Sequence, residues 1–164
     1  MKHVIFTLSL LALVSCKDSK KQDSNIESES VEHSADNDNN HQAHEASGVY
    51  ANAWISEIQN DNGAKWQADT TTNDGVQKLQ NTINSQSPST LEEYHKLAEQ
   101  LNEEKNFVVK NCTMEGPSHD NLHIWLHPLI EKINSLLKVE TVEDASKIRQ
   151  SIEENINAYT TYFK

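Results

Sequence analysis

Sulfur is scarce in this chain. Cysteine and methionine each occur twice, and one methionine is the initiator, which leaves Cys16, Cys112 and Met114 as the sulfur side chains of interest. Two cysteines permit one disulfide at most, and none once Cys16 is committed elsewhere. Basic charge is short too: 14 Lys and Arg against 25 Asp and Glu give a formal net charge of −11. A surface of that sign repels phosphate backbones, which excludes nucleic acid as a partner. The apolar run at residues 4–14 is too short to cross a bilayer, which takes about 20 residues. No segment alternates apolar and polar side chains as a half-buried strand would, and no internal repeat is visible.

What the chain does have begins with an export signal. Met1-Lys2-His3 is a short basic head, the apolar run follows, and Leu13-Val14-Ser15-Cys16 closes it. Those four residues resemble the lipobox of bacterial lipoproteins. The resemblance implies cleavage after residue 15 and acyl chains, palmitate among them, on the thiol and amino group of Cys16. Several chains anchor a protein stably where one holds it only marginally. The expected location is therefore the bacterial cell envelope, lipid-anchored at the outer membrane or cell surface. Residues 17–47 contain no aromatic side chain, and Ile26 and Val31 are their only sizeable apolar ones. Such a stretch cannot offset its ordering entropy by burial, so residues 16–47 are expected to be a lipidated, disordered tether. His33, His41 and His44 belong to it.

Residues 48–164 have the length of one small domain. A lead-in carrying Tyr50, Trp54, Ile55 and Ile58 reaches a turn at Asp61-Asn62-Gly63. Four amphipathic helices are then predicted. The first runs from a cap at Asp69 or Thr70 to Gln86 with Val76, Leu79 and Ile83 inward, and Gly75 weakens it. The second opens on a capping box, Ser89 with Glu92 or Thr90 with Glu93, and aligns Tyr94, Leu97, Leu101, Val108 and Cys112. The third opens at Pro117 or Ser118; Leu122, Leu126, Leu129, Ile133 and Leu136 form its seam, with Ile130 and Leu137 beside it. Trp125 falls outside that seam and is expected to be partly exposed or packed against the lead-in, while Pro128 predicts a kink. Thr141 caps the fourth, which buries Ala145, Ile148, Ile152, Ile156, Tyr159 and Phe163. Short connections between such helices predict an all-α, antiparallel up-and-down four-helix bundle.

The chemistry is concentrated at residues 111–128. Cys112, Met114, His119, His123 and His127 all fall there, around a Gly116-Pro117 turn that ends one helix and starts the next. The histidines follow at steps of four, which places them on one side of the third helix, with His119 and His123 inward. A thiolate, a thioether and imidazoles suit copper(I), which takes soft donors at low coordination number. Zinc would accept Cys112 and the histidines but has little use for Met114. Calcium would want clustered carboxylates. The expected ligands are Cys112, Met114, His119 and His123, with His127 as a further or transfer ligand and Asp120 orienting an imidazole. The plainer alternative is a hydrogen-bonded core histidine, a gap-filling methionine and a buried structural thiol.

The pattern Cys-Thr-Met-x-Gly-x-x-His-x-x-Leu-His-x-Trp-Leu-x-Pro, preceded by Gly-x-Lys-Trp and Thr-x-x-Gly, resembles a group of small bacterial lipoproteins. Their bundle is similar to that of periplasmic four-helix b-type cytochromes, and some are associated with heavy-metal handling. The likeness covers residues 62–163. The cytochromes bring haem into contention, with a methionine on the first helix and a histidine on the last. This chain has neither, and no haem-attaching Cys-x-x-Cys-His, which argues against haem. An enzyme with Cys112 activated by His119 would lack an orienting third group and an oxyanion site. The sequence therefore points to a metal-binding lipoprotein serving copper(I) sequestration or transfer, with an efflux or delivery partner. The alternative is a structural or adaptor lipoprotein without metal.

Overall fold

A computed structural model describes residues 48–164. The expected signal, Cys16 and the linker lie outside the described residues, as do His33, His41 and His44. Four helices account for most of what is described: α1 (Thr70–Ser85), α2 (Leu91–Asn111), α3 (Gly116–Leu136) and α4 (Val142–Tyr162). Among the described residues no helix is long and apolar enough to cross a membrane. Successive helices pack on one another and α1 also meets α4, which closes the ring of four. Only four or five residues join each pair, so neighbours run antiparallel.

The helix starts follow their caps. The Asp69 carboxylate accepts from Thr72 N at 2.6 Å, satisfying an amide that α1 cannot. Of the two possible boxes for α2, the one formed is Thr90 with Glu93. The Thr141 hydroxyl accepts from Asp144 N at 3.1 Å to open α4. The third helix starts one residue earlier than expected, at Gly116, with Pro117 in its first turn. Pro128 lies inside α3 without ending it. At the other end of α1, Gln86 is extended and the helix stops at Ser85.

Gly75 has a purpose that propensity does not show. A Cβ there would lie 2.5 Å from Val108 Cγ2 and 3.1 Å from Phe107 Cδ1, so α1 and α2 touch where a side chain is missing. The helix propensity lost at glycine is offset by that close approach. The predicted seams are otherwise buried as expected, including Leu79, Leu101, Leu129, Ile133 and Ile152 at 0 % exposure.

The lead-in contains a single 3-10 turn, Ala53–Ser56, whose Trp54 is buried and meets the Tyr162 ring edge-on at 5.9 Å. Asn62 and Gly63 take positive φ, 49° and 88°, at the turn the sequence marks. Past it, Trp66 N donates to Tyr162 O at 2.8 Å and Lys164 N to Trp66 O at 3.0 Å, which ties the lead-in to the chain's last residues. Trp125 corrects the sequence reading: it is 0 % exposed, because its indole N–H reaches Asn155 O in α4 at 2.8 Å.

Candidate metal centre

The α2–α3 connection is held from outside by Asp69. Its second carboxylate oxygen accepts from Thr113 N at 2.6 Å and from the Thr113 hydroxyl at 2.9 Å. Burial works to raise the Asp69 pKa, but the hydrogen bonds from Thr113 and Thr72 outweigh it and hold the carboxyl below its ordinary value. One side chain thus caps α1 and fixes the backbone next to Cys112. Cys112 is itself the last capping residue of α2, half-buried, with its N–H on Val108 O at 3.0 Å. Its neighbour Tyr159 has its hydroxyl pKa raised, by burial first and then by the charges of Asp69 and Cys112.

Across the connection stand the three histidines of α3. His123 Nε2 lies 3.1 Å from His119 Nε2, and His123 Nδ1 lies 2.9 Å from His127 Nε2. The rings meet edge-on, with centroids 4.4 Å and 4.9 Å apart. His119 and His123 are half-buried and His127 is exposed. This gradient follows from helix geometry, since four residues turn about 400° and each step of the row drifts about 40° away from the core. Burial lowers the His123 pKa, and the neighbouring His119 and His127 lower it further against a smaller pull from Asp120. A neutral imidazole is the form that binds metal.

Cys112, His119, His123 and His127 line one cavity of about 150 Å³, closed otherwise by apolar side chains such as Val109, Leu122, Leu126 and Ile130. Four of the five predicted ligands are thereby brought together. Met114 is not; it is half-buried and packs against the hydrophobic core. Among the described residues no group of three or more His, Cys, Asp or Glu side chains is arranged to hold a metal ion. The reason for the histidines is visible: His123 turns a different nitrogen to each neighbour, so the row offers donors in pairs. Asp120 is exposed and takes no part in the row's hydrogen bonds. His95 stands apart, with its ring on Val139 O at 2.9 Å.

A second cavity of about 350 Å³ lies on the lead-in side of the row. Trp54, Glu57, His123, His127, Pro128 and Glu131 are among its walls. His123 and His127 therefore face two spaces at once, one apolar with a thiol and one flanked by carboxylates.

The sequence reading missed a polar cluster on the opposite side of α3. Lys132 is 0 % exposed and donates to Asn155 Oδ1 at 3.0 Å, to Ser151 O at 3.5 Å and to Asn52 Oδ1. Burial pulls its pKa down to about 8, against Glu154 and Glu131. Asn52 also accepts from Trp54 Nε1 at 2.9 Å, which pins the lead-in to the bundle. A signal was present: Leu122, Trp125, Leu129, Lys132 and Leu136 step by three and four, a second seam beside the first.

No family model, curated protein or solved structure matches this chain.

Proposed function

We propose that this protein is a lipid-anchored, extracytoplasmic metal-binding protein that sequesters or transfers copper(I) through Cys112, His119 and His123. One observation carries the reading. Three imidazoles stand in nitrogen-to-nitrogen contact at 2.9 and 3.1 Å beside a half-buried thiol, around a small cavity with apolar walls. Histidines serving only the core would be partnered by the backbone or by other residue types; these are partnered by one another. Donors offered in pairs favour copper(I), which takes soft ligands at low coordination number, over zinc, whose structural sites are almost always four-coordinate. Met114 does not line that cavity, so it is not counted among the ligands proposed here. The acidic chain favours a cation by long-range attraction, and a tether at residues 16–47 would let the domain range over the membrane surface.

The test is a titration of the full chain under reducing conditions against a copper(I) chelator, with zinc and haem in parallel. Cys112→Ser and His123→Ala should each weaken copper(I) binding by about 100-fold or more, a loss at least as large as removing an outer-shell partner causes. Alanine at His33, His41 and His44 should leave it unchanged. A wild-type chain that loses the competition at micromolar copper would favour the second reading, a structural or adaptor lipoprotein. The absence of any converging three-donor group among the described residues speaks for that alternative.

A further inference from the structure

We infer that the histidine row is a two-station relay, in which a soft monovalent cation taken up at His127 is handed through His123 to His119 and Cys112. The inference deepens the metal reading and rests on it.

The first observation is which nitrogens meet. His123 uses Nδ1 toward His127 and Nε2 toward His119. One ion therefore meets two imidazoles at a time. The outer station is His123 Nδ1 with His127 Nε2, and the inner one is His123 Nε2 with His119 Nε2. With metal–nitrogen bonds of about 2 Å, an ion between two nitrogens holds them up to about 4 Å apart, so each pair has to open by about 1 Å. Rings that are exposed or half-buried have room for that movement.

The second observation is direction. Exposure falls from His127 to the half-buried His123 and His119, and the two cavities differ in the same sense. Glu57 and Glu131 flank the outer one, where hydrated cations arrive, and Cys112 lies on the inner one among apolar walls. A soft ion that sheds water gains most beside the sulfur of Cys112.

The third is that the protons balance. With the ion at the outer station, His123 keeps its proton on Nε2 and donates it to His119 Nε2, and the protons of His119 and His127 sit on Nδ1. When the ion moves inward, its bonds to His127 Nε2 and His123 Nδ1 break as bonds to His123 Nε2 and His119 Nε2 form. The His123 proton passes by way of water to Nδ1, which then donates to His127 Nε2. Each ring holds one proton throughout and stays neutral, and the ion keeps its oxidation state. Only at Cys112 is a proton released, to solvent, as the sulfur–metal bond forms.

The experiment measures rate and equilibrium separately. The full chain is mixed with copper(I) bathocuproine disulfonate under reducing conditions, and loss of the coloured complex is followed by stopped flow and then to completion. His127→Ala should slow uptake by about tenfold or more, while the final distribution moves by less than about threefold, because water replaces an exposed acceptor at little cost. Free imidazole added to the buffer should restore the rate of His127→Ala. His119→Ala and Cys112→Ser should instead shift the equilibrium by about 100-fold or more. His127→Ala that loses affinity as His119→Ala does, at unchanged rate, would make His127 an ordinary ligand and overturn the relay while leaving the metal reading intact. No change in rate or equilibrium would overturn it as well. A wild-type chain that takes no copper(I) overturns both.

Discussion

Two faces of α3 treat their polar groups in opposite ways. On the side toward α4 and the lead-in, the buried Lys132, Asn155 and Trp125 indole and the half-buried Asn52 satisfy one another and nearby carbonyls. On the other side, His119, His123 and His127 satisfy only one another, the first two half-buried and the third exposed. Partners drawn from three separate elements make the first cluster a fastening that cannot change partners without opening the bundle. Partners drawn from one helix make the second cluster replaceable by a ligand at small structural cost. The contrast separates a cluster whose partners bridge several elements from one whose partners all lie on a single helix.

The largest effect expected from breaking this contrast is at Trp125. Removing its ring empties a site at 0 % exposure, and its backbone partner Asn155 O loses a donor. Trp125→Ala should destabilise the domain by about 3–5 kcal/mol in urea unfolding, the usual range for a buried aromatic. A loss below about 1 kcal/mol would mean that this face is far less tightly packed than its burial indicates.

A smaller effect, with a definite sign, is expected at Lys132. Its pKa in the folded protein is about 8, below the ordinary 10.5, chiefly because burial disfavours the ammonium. Below about pH 8 both folded and unfolded chains carry this proton, so the group adds no slope. Between the two values the unfolded chain binds the proton more strongly, and unfolding free energy rises with pH. The wild-type urea midpoint should therefore gain on that of Lys132→Met as pH is raised from about 8 to about 10. A difference that stays flat over this interval would show that the hydrogen bonds from Lys132 hold the ammonium charged despite its burial.

These particulars show what was legible in the sequence. Helix number, caps and the turn at Asn62-Gly63 were readable because each depends on residues a few positions apart. The second seam of α3 was equally local, yet Trp125 was placed outside the first seam and Lys132 was not singled out, since an ammonium counts as polar until a partner is known. That partner could not be read: Asn52 lies 80 residues from Lys132, and no periodicity connects them. The compensation for the weak helix former Gly75 was hidden for the same reason, because what it accommodates is the Val108 side chain on another helix. At the candidate site the spacing of the histidines was legible, and so was their nearness to Cys112. Their drift away from the core, and the use of a different His123 nitrogen toward each neighbour, needed coordinates. Met114 was chosen for its chemistry; it packs against the core, as Cys112 does, but does not line the cavity.

The smallest effect tests the other half of the contrast. His127 is exposed and its one hydrogen-bonding neighbour is another imidazole, so His127→Ala removes neither a packed ring nor the sole partner of a buried group. Its stability should stay within about 0.5 kcal/mol of wild type at neutral pH, as for an ordinary surface substitution. His123→Ala, at a half-buried position, should cost somewhat more but remain under about 1 kcal/mol. Urea unfolding of both variants beside Trp125→Ala measures the contrast directly. If the histidine variants fall by several kcal/mol, the row is a fastening like the Lys132 cluster, and its imidazoles are committed to the fold. If they do not, three side chains of one helix are held in mutual contact without the fold requiring them, which is what the proposed metal site needs.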